Sequence, residues 1–228
     1  MKRYSLYIII FLFIACKKDA PPPEPPVIPL ITNADFVLNP TGKAPLSAQL
    51  NLSANKEVKV KIFVDGAIPV EHAFAEFAME HQLPILGLYP NVENKIYIES
   101  EDIEGNIERD TLNIPTTALP SFLPEVRINE KRVESMEAGM TFCNIMLGRG
   151  NYKFYSKPII FDSNGDIRWY MELGGDLIFP IIKLRNGNLM FALGSSLIEY
   201  DMLGNEMTRY VLNDYYQHHE IYEKEDGK

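Results

Sequence analysis

The sequence predicts an all-β chain: an N-terminal immunoglobulin-like β-sandwich followed by the first blades of an incomplete β-propeller. Three observations carry this. In the first half, apolar and polar residues alternate in short runs, as where Leu46, Ala48, Leu50 and Leu52 interleave with Ser47, Gln49, Asn51 and Ser53. Turn signals separate these runs at short intervals. In the second half a unit repeats: Asp162-Ser-Asn-Gly165 and Asp201-Met-Leu-Gly204 stand 39 residues apart, and Asn186-Gly187 and Asp226-Gly227 stand 40 apart. A period of about 40 with four short strands per unit is the signature of propeller blades.

Residues 1–15 read as a targeting segment. Lys2 and Arg3 form a basic start, residues 7–14 are an apolar run too short to span a bilayer, and Ala15 places a small residue directly before Cys16. That is how a lipoprotein signal ends, with Cys16 becoming the lipidated N-terminus, although Phe13 stands where leucine is usual. An ordinary signal peptide or an anchor helix is the alternative. Residues 16–31 follow as a proline-rich, semi-rigid spacer after the lipidated cysteine. The expectation is an exported protein of a Gram-negative bacterium, anchored in the cell envelope (periplasm or outer membrane). It would touch the membrane through the lipid on Cys16.

Composition narrows the classes. With 22 basic against 31 acidic side chains the net charge is −9, and no basic cluster stands outside the signal, so nucleic acid is not an expected partner. Besides Cys16 the only cysteine is Cys143, so the mature chain has no internal disulfide to form. Cys143 lies among Phe142, Ile145 and Met146 and reads as a buried core thiol. There is no metal-spaced Cys/His cluster, no glycine-rich phosphate loop and no Gly-x-Ser-x-Gly elbow, so neither a metal nor another cofactor is expected.

The sandwich is expected over residues 32–118. Val58, Val60 and Ile62 alternate with lysines, Asp65-Gly66 marks a turn, Ile96 and Ile98 lie on the next strand, and Glu104-Gly105-Asn106 turns the chain into a strand over 107–114. Residues 81–91 hold two prolines and a glycine and read as a shaped loop. His72 and His81 are read as structural. Residues 119–124 are a second proline-bearing joint, and 125–228 are the propeller portion. There, 142–147 is apolar and reads as buried on both faces, and 148–151 is a turn. Strands are expected at 159–162, 167–171, 177–184, 189–193, 197–201 and 207–212. In each Asp-x-x-Gly turn the aspartate can accept from backbone N–H groups two residues on, and glycine supplies the positive φ. Trp169, the one tryptophan, reads as blade packing.

The candidate site is the pair His218–His219. Laid on the preceding unit, they fall where Ile178 and Phe179 stood, so two apolar residues become two imidazoles on a segment that leads toward the propeller axis. Neighbours on a strand point to opposite faces, so one of the pair readily faces a channel, and either could be that one. Tyr215 and Tyr216 beside them are candidates for the channel wall, since their rings could stack on a phenol or a sugar.

These pieces resemble a known family. His81-Gln-Leu-Pro-Ile-Leu-Gly-Leu-Tyr-Pro-Asn91, followed by Asn94, looks like the N-terminal sandwich of bacterial arylsulfate sulfotransferases. Gly165-Asp-Ile-Arg-Trp-Tyr170, Asn186-Gly-Asn188, Asp201-Met-Leu-Gly-Asn205 and Tyr215-Tyr-Gln-His-His-Glu220 look like the start of their catalytic domain. Glu220 departs from the aspartate usual there. The resemblance runs from about Asp35 to the end of the chain. It implies transfer of a sulfuryl group from a phenolic sulfate ester to a second phenol through a sulfohistidine, without a nucleotide donor or cofactor. The implied partners are the aryl sulfate donor and the phenolic acceptor, and a second copy of the chain is a candidate for a homodimer. By the same resemblance, His218 or His219 supplies a channel imidazole that contacts the sulfuryl group or the phenolic oxygen. The family's nucleophilic histidine and channel arginine map onto no residue here. The rival reading is a non-catalytic propeller lipoprotein that binds a glycan or a protein. A weaker third is a structural adaptor. Residues 125–228 hold about two and a half repeat units where a closed propeller needs at least four blades. The expectation is therefore a truncated chain, inactive on its own.

Overall fold

Alternation along one long strand builds the first domain. In this computed structural model, which describes residues 28–149, 153–174, 177–215 and 219–225, β2 (Ala48–Val64) buries Ala48, Leu50, Leu52 and Ala54, then Val58, Val60, Ile62 and Val64. β1 (Ile31–Leu38) pairs with the first half of β2 and β4 (Glu93–Asp102) with the second, while β3 (Val70–Ile85) pairs with both halves. β5 (Ile107–Pro115) joins β4, giving the order β1-β2-β4-β5 with β3 on β2, all antiparallel. The register slips between Ser53 and Val58, as a bend requires. The sheet curls around an interior that keeps one face of β2 inside on both sides of the exposed stretch at 55–57.

Two expectations need correction here. The runs at 46–53 and 58–62 belong, from Ala48 on, to one strand rather than two. The stretch at 81–91 is not all loop: His81 pairs with Leu52 and Ile85 with Ala48, so its first five residues are the end of β3. Pro84 is tolerated because β3 is an edge strand, where a missing N–H leaves no neighbour unpaired. β3 is exposed along most of its length, so no alternation marks it in sequence.

The second half makes two antiparallel meanders, the expected incomplete propeller. β6 (Thr141–Arg149), β7 (Lys153–Phe161) and β8 (Ile167–Tyr170) form a three-stranded blade, and β9 (Ile181–Lys183), β10 (Leu189–Leu193), β11 (Ser196–Tyr200) and β12 (Glu206–Val211) a four-stranded one. The repeat is visible as geometry, since Asp162–Gly165 joins β7 to β8 and Asp201–Gly204 joins β11 to β12. In both turns the glycine N–H donates to the aspartate carbonyl, at 3.0 and 3.1 Å, and the aspartate Oδ1 accepts from the N–H two residues on at 2.9 Å. Asp102–Gly105 in the sandwich is built the same way, and the hydrogen bonds from Asn106 hold the Asp102 carboxyl down at about 2.

Residues 142–147 are half-exposed, not buried on both faces, and Met146 is 58% exposed. β6 is the edge of its blade and pairs with β7 alone, so its outer side lacks cover among the described residues. For the same reason Cys143 is half-buried rather than buried; it packs against the core, and that partial burial raises its thiol pKa.

The sandwich and the blades share their interior. Ile159, Ile167 and Tyr170 of the first blade belong to the same apolar cluster as Leu50, Val60 and Ile98. Trp169, Met171, Ile178, Phe191 and Ile198 form a second cluster within the blades, which also takes in Ala44. Polar stitches add to this: Thr41 Oγ1 donates to the Leu203 carbonyl at 2.6 Å, and the Glu172 N–H donates to the Lys43 carbonyl at 2.8 Å. Gly204 permits the approach, because a Cβ there would lie 2.6 Å from Thr41 Oγ1.

Candidate functional site

The segment that enters β9 is fixed by the blade before it. Ile178 is buried; its N–H donates to Ser156 Oγ at 2.7 Å, and its carbonyl accepts from Ser156 Oγ at 3.0 Å and from Asn144 Nδ2 at 2.8 Å. The Phe179 N–H then donates to the Ala192 carbonyl at 3.1 Å. With its backbone held on both sides, Phe179 presents a ring that is 52% exposed. The ring of His219 meets it edge-to-face, with centroids 6.1 Å apart and planes at 74°. These are the two positions that the repeat places 40 residues apart. Equivalent points of consecutive units therefore touch, one apolar and one an imidazole. The His219 backbone is left-handed, with φ 66°.

The other sequence candidates are placed as follows. Tyr215 is exposed just beyond β12, its N–H donating to the Leu212 carbonyl at 3.2 Å. Glu220 accepts from the Tyr222 hydroxyl at 2.8 Å. His218, Tyr216 and Cys16 lie outside the described residues, as does the Asp226-Gly227 turn. His81 is buried, with Nε2 2.8 Å from the Val58 carbonyl, and His72 stacks on Phe74 with centroids 4.4 Å apart. The His81 contact is buried within the sandwich, in keeping with the structural reading, whereas His72 is exposed.

Sequence reasoning missed Arg168. Its side chain is fully buried, and its Nη1 donates to Asp162 Oδ2 at 2.7 Å. The rest of the fork crosses to the sandwich: Nε donates to the Gly87 carbonyl at 3.0 Å, Nη1 to the Ile68 carbonyl at 2.9 Å, and the guanidinium lies 3.4 Å above the centre of the Tyr89 ring. An arginine between Ile167 and Trp169 on a short apolar strand was the available signal, since a cation there must find fixed partners. Trp169, on the opposite face of β8, is buried as expected, and its Nε1 donates to the Met202 carbonyl in the next blade at 2.8 Å.

Two family models match the chain in the order of these two halves. The one described as Arylsulfotransferase Ig-like domain matches residues 36–117, and the one described as Arylsulfotransferase (ASST) matches residues 125–228. The chain belongs to the arylsulfotransferase family. No curated protein matches it. The family's substrates are an aryl sulfate donor and a phenolic acceptor.

In this arylsulfotransferase chain a cavity lies between residues of the two matched regions. A cleft of about 940 Å³ opens between the start of β3, the turn-bearing ends of both blades, and the Leu86–Gly87 segment that Arg168 grips. Phe142, Ile160, Trp169 and Leu189 line it, and Lys183, His72 and Gln82 stand around them. Among the described residues no group of three or more His, Cys, Asp or Glu side chains is arranged to hold a metal ion.

Proposed function

We propose that this chain serves sulfuryl transfer from a phenolic sulfate ester to a phenol by way of a sulfohistidine, and that His219 is a channel imidazole for that reaction. The observation that carries this is the His219–Phe179 pair. The repeat replaces an apolar residue with an imidazole at that point, and the imidazole stands beside an exposed, backbone-locked aromatic ring. The Phe179 ring offers a face or edge to the aryl group. The imidazole is a donor for the sulfuryl or bridging oxygen, and a proton carrier for the leaving phenolate or the incoming phenol. Sulfuryl transfer, like phosphoryl transfer, spreads negative charge over equatorial oxygens, so fixed N–H donors supply much of the stabilisation. His218 belongs to the same proposal as the alternative imidazole, and Tyr215 and Tyr216 as channel wall. The sulfuryl-accepting histidine is assigned to no residue of this sequence.

The histidines give a direct readout. With ring-labelled histidine in the 228-residue chain, the His219 resonances are expected to shift saturably as 2-naphthyl sulfate is added, while those of His81 stay in place. Phe179→Ala should weaken that titration about fivefold, the scale of one aromatic contact. If neither His218 nor His219 responds, the assignment is wrong. A response to oligosaccharides instead would favour the glycan-binding reading.

The anchor belongs to the same proposal: processing before Cys16, lipid on its thiol, and a proline-rich spacer that holds the sandwich off the membrane on the periplasmic side. Labelled palmitate is expected to enter the wild-type chain in a Gram-negative host and to be lost in Cys16→Ser. Incorporation that survives the substitution would sink the lipoprotein reading.

A further inference from the structure

We propose that the cleft between the sandwich and the blades is a binding site for an aromatic anion, at the opposite end of β9 from the Phe179–His219 pair. Phe179 precedes β9 and Lys183 ends it, four residues on, or about 13 Å along an extended strand. The turns at Asn186–Gly187 and Asp201–Gly204 lie at the Lys183 end and line the cleft. This inference does not depend on the role given to His219.

Three features argue for a ligand. The first is size and place: about 940 Å³ at a domain junction lies within the range of small-molecule sites. The second is rigidity. Arg168 ties the cleft's Gly87 and Ile68 to β8, and Trp169 ties β8 to Met202 on the far wall at 2.8 Å, so the walls stand in place before anything binds. The third is charge. Glu71 pairs with Lys61 at 3.0 Å, Arg168 with Asp162 at 2.7 Å, and the Asp201 carboxylate accepts from the Leu203 and Asn205 N–H groups at 2.9 and 2.8 Å and from Asn205 Nδ2 at 2.8 Å. Lys183 makes no ion pair among the described residues and is exposed at the cleft. The Asp201 carboxylate is thus engaged by the N–H donors of its own turn, and the charged group left without a partner at the cleft, among the described residues, is the Lys183 ammonium. An apolar floor with one free cation at its edge fits a ligand with an apolar body and a single anionic group. The rings of Phe142 and His72 favour an aromatic body over an aliphatic one, and the edge of the buried Trp169 ring closes the wall behind them.

The one tryptophan reports on the cleft. Biphenyl-4-sulfonate, an aryl anion with no transferable ester, is titrated into the full chain while Trp169 emission is followed. A saturable change is expected, weakened about fivefold by Lys183→Gln, the scale of an exposed ion pair, and unaltered by His219→Ala. Decyl sulfate should bind more weakly. Circular dichroism melts should show Lys183→Gln folded as the wild type, since the side chain is exposed. The proposal is overturned by the absence of a saturable change, by equal affinity in Lys183→Gln, by equal affinity for decyl sulfate, or by loss of the signal in His219→Ala.

Discussion

Arg168→Met is expected to destabilise the chain by about 3–5 kcal/mol, because it leaves the Asp162 carboxylate buried without its cation. Both side chains are fully buried. The substitution also removes donors to the Gly87 and Ile68 carbonyls, so the loss falls on the grip between sandwich and blade as well as on the pair. For a chain of this size that is a drop in melting temperature of roughly 10 °C. Arg168→Lys should recover little, since an ammonium cannot span the three acceptors of the planar fork. The double variant Arg168→Met with Asp162→Asn should be more stable than Arg168→Met alone. An amide there is no longer an unpaired charge, and its oxygen can still accept from the Asn164 and Asp166 N–H groups of the turn. Thermal melts of the four proteins decide it; a single variant that melts within about 2 °C of the wild type contradicts the account.

Trp169→Ala should be of similar size, about 3–5 kcal/mol, for a different reason. Arg168 and Trp169 are neighbours on β8 and so face opposite ways. One reaches into the sandwich junction, the other fills the blade interior beside Ile178, Phe191 and Ile198. Deleting the indole opens a cavity there and leaves the Met202 carbonyl without its donor at 2.8 Å. Trp169→Phe keeps much of the volume and loses the hydrogen bond, so about 1–2 kcal/mol is expected. Urea unfolding followed by far-ultraviolet circular dichroism is the measurement. Equal effects for alanine and phenylalanine would mean that packing contributes nothing beyond the bond.

Much of the fold was legible in the sequence because it rests on local rules. Asp102, Asp162 and Asp201 each announce a turn through a side chain that satisfies its own backbone, and those turns are where they were expected. β2 showed itself by alternation. β3 did not, because it buries little and so carries no period; with Pro84 inside it, its last five residues read as loop. β6 misled in the other direction. A run of apolar residues records hydrophobicity but not whether a neighbouring strand is present to cover it. The site divides in the same way. The 40-residue spacing pointed to Phe179 and His219 as equivalent positions, and the two rings meet. Arg168 was passed over because its partners in the sandwich, Gly87 and Ile68, stand 81 and 100 residues away and offer only backbone carbonyls, which leave no mark in a sequence, while Asp162 already had a role in its turn.

The shared interior of sandwich and first blade bears on the order of assembly. A propeller blade is stabilised by neighbours on both flanks, and the first one to leave the ribosome has none. Here Ile159, Ile167 and Tyr170 pack into a cluster supplied mainly by residues made earlier, Leu50, Val60 and Ile98 among them. The N-terminal domain thus acts as an end plate, much as a capping repeat does for a stacked array. It gives the nascent β-meander an apolar wall before any later blade exists, and it shortens the time for which that blade's apolar face is open to aggregation.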